Sequence, residues 1–115
     1  MEQIQASATF PTIAANDLSE FKQLAAQALD AARGEPGTLQ YDWFFSDDGT
    51  RCVVRETYRS SDDVLAHLGN VGPLLGRLVE LGGGLELEVF GEPTPALRDA
   101  TAALQPRTHS YFQGK

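Results

Sequence analysis

Two strand-like runs joined by a short turn constrain the fold of this chain more than any other feature. Residues 35–45 and 51–58 are rich in aromatic and β-branched side chains, and the Ser46-Asp47-Asp48-Gly49-Thr50 segment between them carries the Asp and Gly residues typical of tight turns. We therefore predict an antiparallel β-hairpin. A helix is predicted directly after it, because Ser60 or Ser61 can cap the first free N–H groups of a helix at this point.

Hydrophobic periodicity predicts the remaining elements. Apolar and polar residues alternate at 2–10 and at 85–90, which indicates two half-buried strands. In other segments apolar residues recur at helical spacing. Either Asn16 or Asp17 can cap the first helix. The predicted elements are a strand at 2–10, a helix from 16 or 17 to 33, a helix after the hairpin that breaks at 69–73 and resumes until Gly82, a strand at 85–90, a short helix at 96–104 and an extended segment at 107–112.

The order strand, helix, strand, strand, helix, strand is that of the split βαβ, ferredoxin-like α+β fold. We expect one domain, with a ferredoxin-like part at residues 1–92 and a C-terminal helix and tail at 93–115 that can cap a dimer. Helices would cover one face of the sheet, and the other face would expose apolar and aromatic side chains. Because such a face is rarely left in water, we expect a partner sheet and hence a homodimer.

Composition excludes several classes of function. The 115 residues include 16 acidic and 9 basic side chains, for a net charge of -7 without any basic cluster, so we expect neither nucleic acid nor an anionic membrane as a partner. Apolar runs are far shorter than the ~20 residues of a membrane span. The single cysteine, Cys52, permits no internal disulfide and favours a cytoplasmic location. His67 and His109 are far apart in sequence and give no metal-ligand spacing, so we expect no metal and no cofactor.

Glu56 is a candidate general acid or base. Residues 39, 41, 43 and 45 would share one face of the first hairpin strand, and Cys52, Val54, Glu56 and Tyr58 would share one face of the second. If both sets lie on the same side, they form an aromatic wall containing one carboxylate, whose pKa burial would raise. The alternative is a structural carboxylate paired with Arg55 or Arg77.

His67 is a second candidate base, because the ordinary pKa of histidine lies near neutrality. Its alternative is a structural hydrogen bond to the sheet or to a partner subunit. Tyr41, Trp43 and Tyr58 can stack on a planar substrate and donate hydrogen bonds to its oxygens, or they can belong to the core. Asn70 can bind a ligand carbonyl or cap a loop.

Several of these residues together resemble the antibiotic biosynthesis monooxygenase (ABM) domain family. The resemblance rests on Glu35-Pro36-Gly37, Tyr41, the Asp/Gly turn, Glu56-x-Tyr58 and Ala66-His67-Leu68, and the element order agrees over residues 2–92. It implies a dimeric α+β barrel with one pocket per subunit. The family includes small quinol monooxygenases, cofactor-free oxygenases of polyketide tailoring and haem-degrading enzymes. Tyr58 stands where the family usually has Trp, and the first strand lacks the Asn of the haem-degrading members, so haem degradation is not expected.

The resemblance implies a cofactor-independent monooxygenase that acts on a quinol-like, phenolic or polyketide-like aromatic substrate. In that chemistry His67 or Glu56 is the base, Tyr58 or Tyr41 the hydrogen-bond donor and Trp43 a stacking wall. Two alternatives stay open. The first is a non-enzymatic dimer that only binds a small molecule, and the second is an isomerase that moves a proton on a muconate-type substrate.

Overall fold

One five-stranded sheet, covered on one face by three α-helices, forms the fold in a computed structural model that describes residues 2–115. Met1, the first residue of the predicted 1–92 region, lies outside the described residues. The elements are β1 (Ile4–Phe10), α1 (Leu18–Ala32), β2 (Thr38–Phe45), β3 (Cys52–Tyr58), α2 (Ser61–Leu81), β4 (Glu86–Phe90), α3 (Pro95–Thr101) and β5 (Arg107–His109).

The strand order across the sheet is β2-β3-β1-β4-β5. β1 lies between β3 and β4 and is antiparallel to both, which confirms the predicted ferredoxin-like arrangement. β5 pairs in parallel with β4 of the same chain, with Glu88 opposite Arg107 and Phe90 opposite His109. The predicted extended segment therefore adds a fifth strand to its own sheet. Within residues 2–115, no helix has the length and apolarity that a membrane span requires.

The predicted hairpin is present, and its register brings the two sets of predicted site residues onto one face. Tyr41 lies opposite Glu56 and Trp43 opposite Val54. Asp48 stabilises the turn by accepting hydrogen bonds from the Ser46 and Thr50 hydroxyls. Leu39 is an exception to the predicted alternation. The pairing register shifts between Thr38 and Gln40, and Leu39 is 54% exposed.

The predicted break within the second helix is wrong, because α2 continues through Pro73. Pro73 removes the hydrogen bond to the carbonyl of Gly69, but both residues are exposed, so water can reach that carbonyl. The apolar stripe continues across the proline, with Val71 and Leu78 both buried against the sheet. Tertiary packing therefore maintains a helix that local propensity would interrupt.

Helix capping agrees with the prediction at the start of α2 and not at the start of α1. The Ser60 hydroxyl accepts a hydrogen bond from the Asp63 N–H at 3.3 Å, as predicted for α2. At α1 neither Asn16 nor Asp17 makes a side-chain cap, because a short 3₁₀ turn at residues 15–17 leads into the helix instead.

The two faces of the sheet differ in character. On the helix-covered face, Phe10 and Phe21 pack edge to face with ring centroids 5.2 Å apart, and Phe21 is fully buried. The opposite face is mostly polar, with residues such as Gln5, Ser7, Arg55, Thr57, Glu86 and Glu88. Its large exposed apolar side chains are Phe44 and Phe90, at 55% and 39% exposure. The apolar area of this face is therefore smaller than predicted from the sequence. The homodimer stays a prediction.

Candidate active site

A cavity of about 210 Å³ lies between the helix-covered face of the sheet and the helices α2 and α3. Most of its wall is apolar. The polar groups at one end are Tyr41 from β2, Glu56 from β3 and His67 from α2. Their position follows from the sheet register, because Tyr41 and Glu56 face each other on neighbouring strands beneath the N-terminal half of α2. A small set of polar groups in an apolar pocket is typical of ligand sites.

Glu56 is a half-buried carboxylate whose only side-chain partner among the described residues is Tyr58. The Tyr58 hydroxyl donates a hydrogen bond to Glu56 Oε1, and Tyr58 itself is fully buried behind it. Burial raises the pKa of Glu56, and the nearby negative charge of Glu35 acts in the same direction, while the Tyr58 hydrogen bond and His67 oppose them. Glu56 is thus suited to exchange a proton at a higher pH than an ordinary glutamate.

The predicted alternative for Glu56, a structural pair with an arginine, does not occur. Arg77 lies on the surface, where it bridges Glu20 and Glu80 at 2.9 Å each. Arg55 is exposed and belongs to the opposite face of the sheet. Since Glu56 has no cationic side chain bonded to it, its carboxyl is not committed to a salt bridge.

Glu35, which sequence reasoning did not select as a site residue, holds His67 in place. Glu35 Oε1 lies 2.7 Å from His67 Nδ1 and also accepts a hydrogen bond from Thr38 at 2.7 Å. Asn70 donates to Glu35 Oε2 at 2.7 Å. Burial would raise the pKa of Glu35, but the hydrogen bonds from Thr38, Asn70 and His67 outweigh it and keep that pKa below its ordinary value.

The bond to Glu35 orients the His67 ring. With Nδ1 held by a carboxylate, a neutral imidazole carries its proton on Nδ1 and leaves Nε2 as the acceptor. The ring packs edge to face against Tyr41, with centroids 4.6 Å apart, and is tilted against Tyr58 at 5.3 Å. His67 is 3% exposed and contributes to the cavity wall. Both candidate bases therefore border the same space.

Trp43 combines core packing with a place in the cavity wall. Its ring stacks on Phe10 at 6.2 Å and meets Tyr41 edge to face at 5.5 Å. Its indole N–H is buried and has no hydrogen-bond partner among residues 2–115. Burial raises the pKa of both Tyr41 and Tyr58, so these hydroxyls stay protonated and can donate hydrogen bonds.

Comparison with known proteins agrees with this geometry. The model of the antibiotic biosynthesis monooxygenase family matches residues 6–72, which is more than half of the chain and includes Glu56 and His67. The chain belongs to the antibiotic biosynthesis monooxygenase family. No functionally curated protein matches its sequence significantly.

Solved structures of similar fold match either the whole chain or most of it. MupZ from Pseudomonas fluorescens is 28% identical, with a TM-score of 0.85, over 100% of this chain and 94% of that one. Rv0793 from Mycobacterium tuberculosis is 24% identical, with a TM-score of 0.70, over 82% and 98%. A variant of SnoaB, a cofactor-independent oxygenase from Streptomyces nogalater, is 18% identical, with a TM-score of 0.67, over 82% and 97%. The last two similarities are evidence for the fold.

Within this ABM-family structure, four of the six residues predicted to form the site line the cavity: Tyr41, Trp43, Glu56 and His67. Tyr58 lies behind Glu56. Asn70 lies outside the cavity wall, where its amide donates to the Ala31 carbonyl as well as to Glu35. Its predicted contact with a ligand stays a prediction, and the structure gives it a supporting contact to the carboxylate that holds His67.

Two further residue types bear on the chemistry of the site. Cys52 is buried, and burial raises the pKa of its thiol to about 12, which is typical of a small core residue rather than a nucleophile. Among residues 2–115, no group of three or more His, Cys, Asp or Glu side chains is arranged to hold a metal ion.

Proposed function

We propose that this protein is a cofactor-independent monooxygenase that acts on a quinol-like, phenolic or polyketide-like aromatic substrate. The observation that carries the proposal is Glu56, a half-buried carboxyl with a raised pKa and no cationic partner among residues 2–115, facing a mostly apolar cavity. Membership of the ABM family supports the reaction class. Such a group can remove a proton from a phenol, and a dry pocket around it favours direct reaction of the anion with dioxygen.

In the proposed reaction, Glu56 removes the phenolic proton and the electron-rich phenolate reduces dioxygen by one electron. The resulting phenoxyl radical and superoxide combine to form a C–O bond, and the peroxide takes the proton back from Glu56. The O–O bond then breaks as the same carbon loses its hydrogen, and water leaves. One phenol and one dioxygen thus give one quinone and one water, without an external reductant.

The neighbours of Glu56 have distinct roles in this scheme. Tyr58 holds Oε1 of Glu56, while Tyr41, across the strand pair, donates to the developing oxyanion of the substrate. His67, oriented by Glu35, is the alternative base and packs against the Tyr41 ring. Trp43 forms a stacking wall. The homodimer, the small aromatic ligand and the cytoplasmic location predicted from the sequence belong to the same proposal.

Oxygen uptake by the metal-free protein, measured with a panel of quinols and polyphenols, tests the proposal. We expect uptake above the autoxidation blank with at least one compound and incorporation of one atom of labelled dioxygen into the product. Glu56→Gln should reduce the rate at least 100-fold, a typical loss for a general base. Glu86→Gln, the same change on the exposed face of β4, should leave the rate unchanged. Uptake that is the same in Glu56→Gln and in the unmodified protein would contradict the assignment.

An isomerase that moves a proton is a second candidate, favoured by the raised pKa of a carboxyl that lines the cavity. A carboxyl with a raised pKa can take a proton from one carbon and return it to another without dioxygen. The half-buried position of Glu56 at the cavity supports either reaction over a dimer that only binds a ligand. Exchange of deuterium from solvent into a muconate-type lactone, in the absence of oxygen, distinguishes the isomerase from the monooxygenase.

A further inference from the structure

The cavity has a second polar end, which the chemistry at Glu56 does not use. Tyr41, Glu56, Ala6, Val89 and Thr108 occupy one row across the five strands, each paired with the next. Glu56 and Thr108 both line the cavity. They are separated by three inter-strand steps, from β3 to β1, β4 and β5, or about 14 Å at about 4.8 Å for each step. The cavity is therefore elongated along this row.

Arg98 lies on α3, the helix that precedes β5, the edge strand that carries Thr108. It is exposed on α3 and lines the cavity, which places it at the rim, close to Thr101 on the same helix. Of the cavity-lining residues, Arg98 is the one with a cationic side chain. Its guanidinium makes no ion pair or side-chain hydrogen bond with the part of the chain that the structure describes. Arg33, Arg59 and Arg77, by contrast, are each paired with carboxylates.

The wall between the two ends is apolar. Ala6 and Val89 form the floor, and Leu68, Val71 and Leu75 of α2 lie above them. A volume of about 210 Å³ over such a length gives an elongated channel, which has room for a chain of atoms beyond a ring bound beside Glu56. On a protein with a net charge of -7, a free guanidinium at the rim of this channel is a selective contact for an anion.

We propose that the cavity binds an elongated amphipath whose carboxylate is held by Arg98 at the rim and whose apolar chain extends along the channel toward Glu56. This inference rests on the proposed function only for the reacting group, a phenolic or enolic head beside Glu56. The carboxylates of Glu35 and Glu56 disfavour the opposite orientation, because they would repel the anionic end. Arg98 lies outside the residues matched by the family model, so this contact would come from the C-terminal segment of the chain.

Titration with linear alkanoates and the matching alkanols tests the proposal, with Trp43 as the reporter, since it is the single tryptophan and lines the cavity. An extended chain advances roughly 1.25 Å per carbon–carbon bond, so chains of about ten to twelve carbons should fill the distance. Each added methylene should tighten binding about fourfold up to that length and little beyond it. In the unmodified protein, we expect each acid to bind about 5- to 10-fold more tightly than its alcohol, as for a partly exposed charged contact.

Two substitutions identify the guanidinium responsible. Arg98→Gln should remove the preference for acids over alcohols while leaving the affinity for alcohols unchanged, and Arg98→Lys should retain part of the preference. Arg107→Gln is the matched control, because Arg107 lies on the neighbouring β5, is exposed and does not line the cavity. Equal affinity for acids and alcohols in the unmodified protein would overturn the proposal, as would an equal loss in Arg98→Gln and Arg107→Gln.

The outcome is independent of the oxygen-uptake experiment. A preference for acids that depends on Arg98 supports this binding mode even if no quinol is oxidised. Oxygen uptake that depends on Glu56, together with no preference for acids, would overturn the binding mode and leave the monooxygenase proposal standing.

Discussion

Glu35 Oε1 and His67 Nδ1 are 2.7 Å apart, with both side chains at least 90% buried. The contact joins the turn after α1 to the first half of α2. It fixes the tautomer and the orientation of a histidine that borders the cavity. Loss of either partner of this buried carboxylate–imidazole contact should destabilise the fold, because the other polar group is left without its hydrogen bond.

Glu35→Gln is expected to destabilise the protein by about 2 kcal/mol at neutral pH, the usual cost of losing hydrogen bonds to a buried charged group. Because the pKa of Glu35 is held below its ordinary value of 4.5, its contribution to stability is present above that pH and is lost as the pH falls through the folded-state value. Urea denaturation should show the two proteins converging in acid. Asp30→Asn, which removes an exposed pair with Arg33, should change the stability at neutral pH by less than about 0.5 kcal/mol.

Glu56→Gln is expected to have the opposite effect on stability. The pKa of Glu56 is raised above 4.5, so the folded state favours its protonated form, and the stability this provides is lost as the pH rises through the folded-state value. The neutral amide removes that dependence. At pH above neutrality the variant should therefore be more stable than the unmodified protein, by about 0.5–2 kcal/mol, a range common when a functional group is replaced. A variant that is less stable at every pH would contradict a raised pKa.

Tyr58→Phe should raise the pKa of Glu56 further. The Tyr58 hydrogen bond favours the charged carboxylate and so lowers that pKa, whereas burial of Glu56 is unchanged when the hydroxyl is removed. Titration of glutamate side-chain carbons by NMR measures the pKa without a substrate. Tyr111→Phe, at an exposed tail position, serves as the control and should leave the Glu56 resonance unaffected. A lower pKa in Tyr58→Phe would show that the hydrogen bond does not act as described.

Much of the fold could be predicted from the sequence because its signals are local. The Asp/Gly turn and the alternation around it define the hairpin, and Ser60 defines the start of α2. Where local signals conflict with packing, the prediction fails. Pro73 indicates a break, but burial of Val71 and Leu78 on the same helix face keeps α2 continuous. The pairing of β5 with β4 depends on contacts distant in sequence and could not be predicted.

The site was predictable where residues share a strand face and not where they meet through space. Tyr41 and Glu56 follow from alternation and hairpin register. Glu35 was missed as a partner of His67, because the two residues are 32 positions apart in the sequence and meet only in the folded chain. Its place in the Glu35-Pro36-Gly37 segment that resembles the family was the available signal. Arg98 gave no signal, since only the folded cavity distinguishes it from other exposed arginines.

The predicted homodimer can be tested through the exposed face of the sheet. Phe44 lies there at 55% exposure and would pack against the partner sheet. Phe44→Asp should convert a dimer into a monomer at micromolar concentration, as measured by sedimentation velocity. Phe112→Asp, in the exposed C-terminal tail, should remain dimeric. A sedimentation coefficient of a monomer for the unmodified protein would contradict the prediction directly.

The assignment of Glu56 as the proton acceptor is tested most directly by the initial rate of oxygen uptake as a function of pH, with one phenolic substrate. The unmodified protein and Glu86→Gln should show a rate that rises through an apparent pKa above the ordinary value of a glutamate. Glu56→Gln should stay near the uncatalysed rate at every pH, and Tyr58→Phe should shift the rise to higher pH. A Glu56→Gln variant that retains the rate and pH profile of the unmodified protein would contradict the assignment.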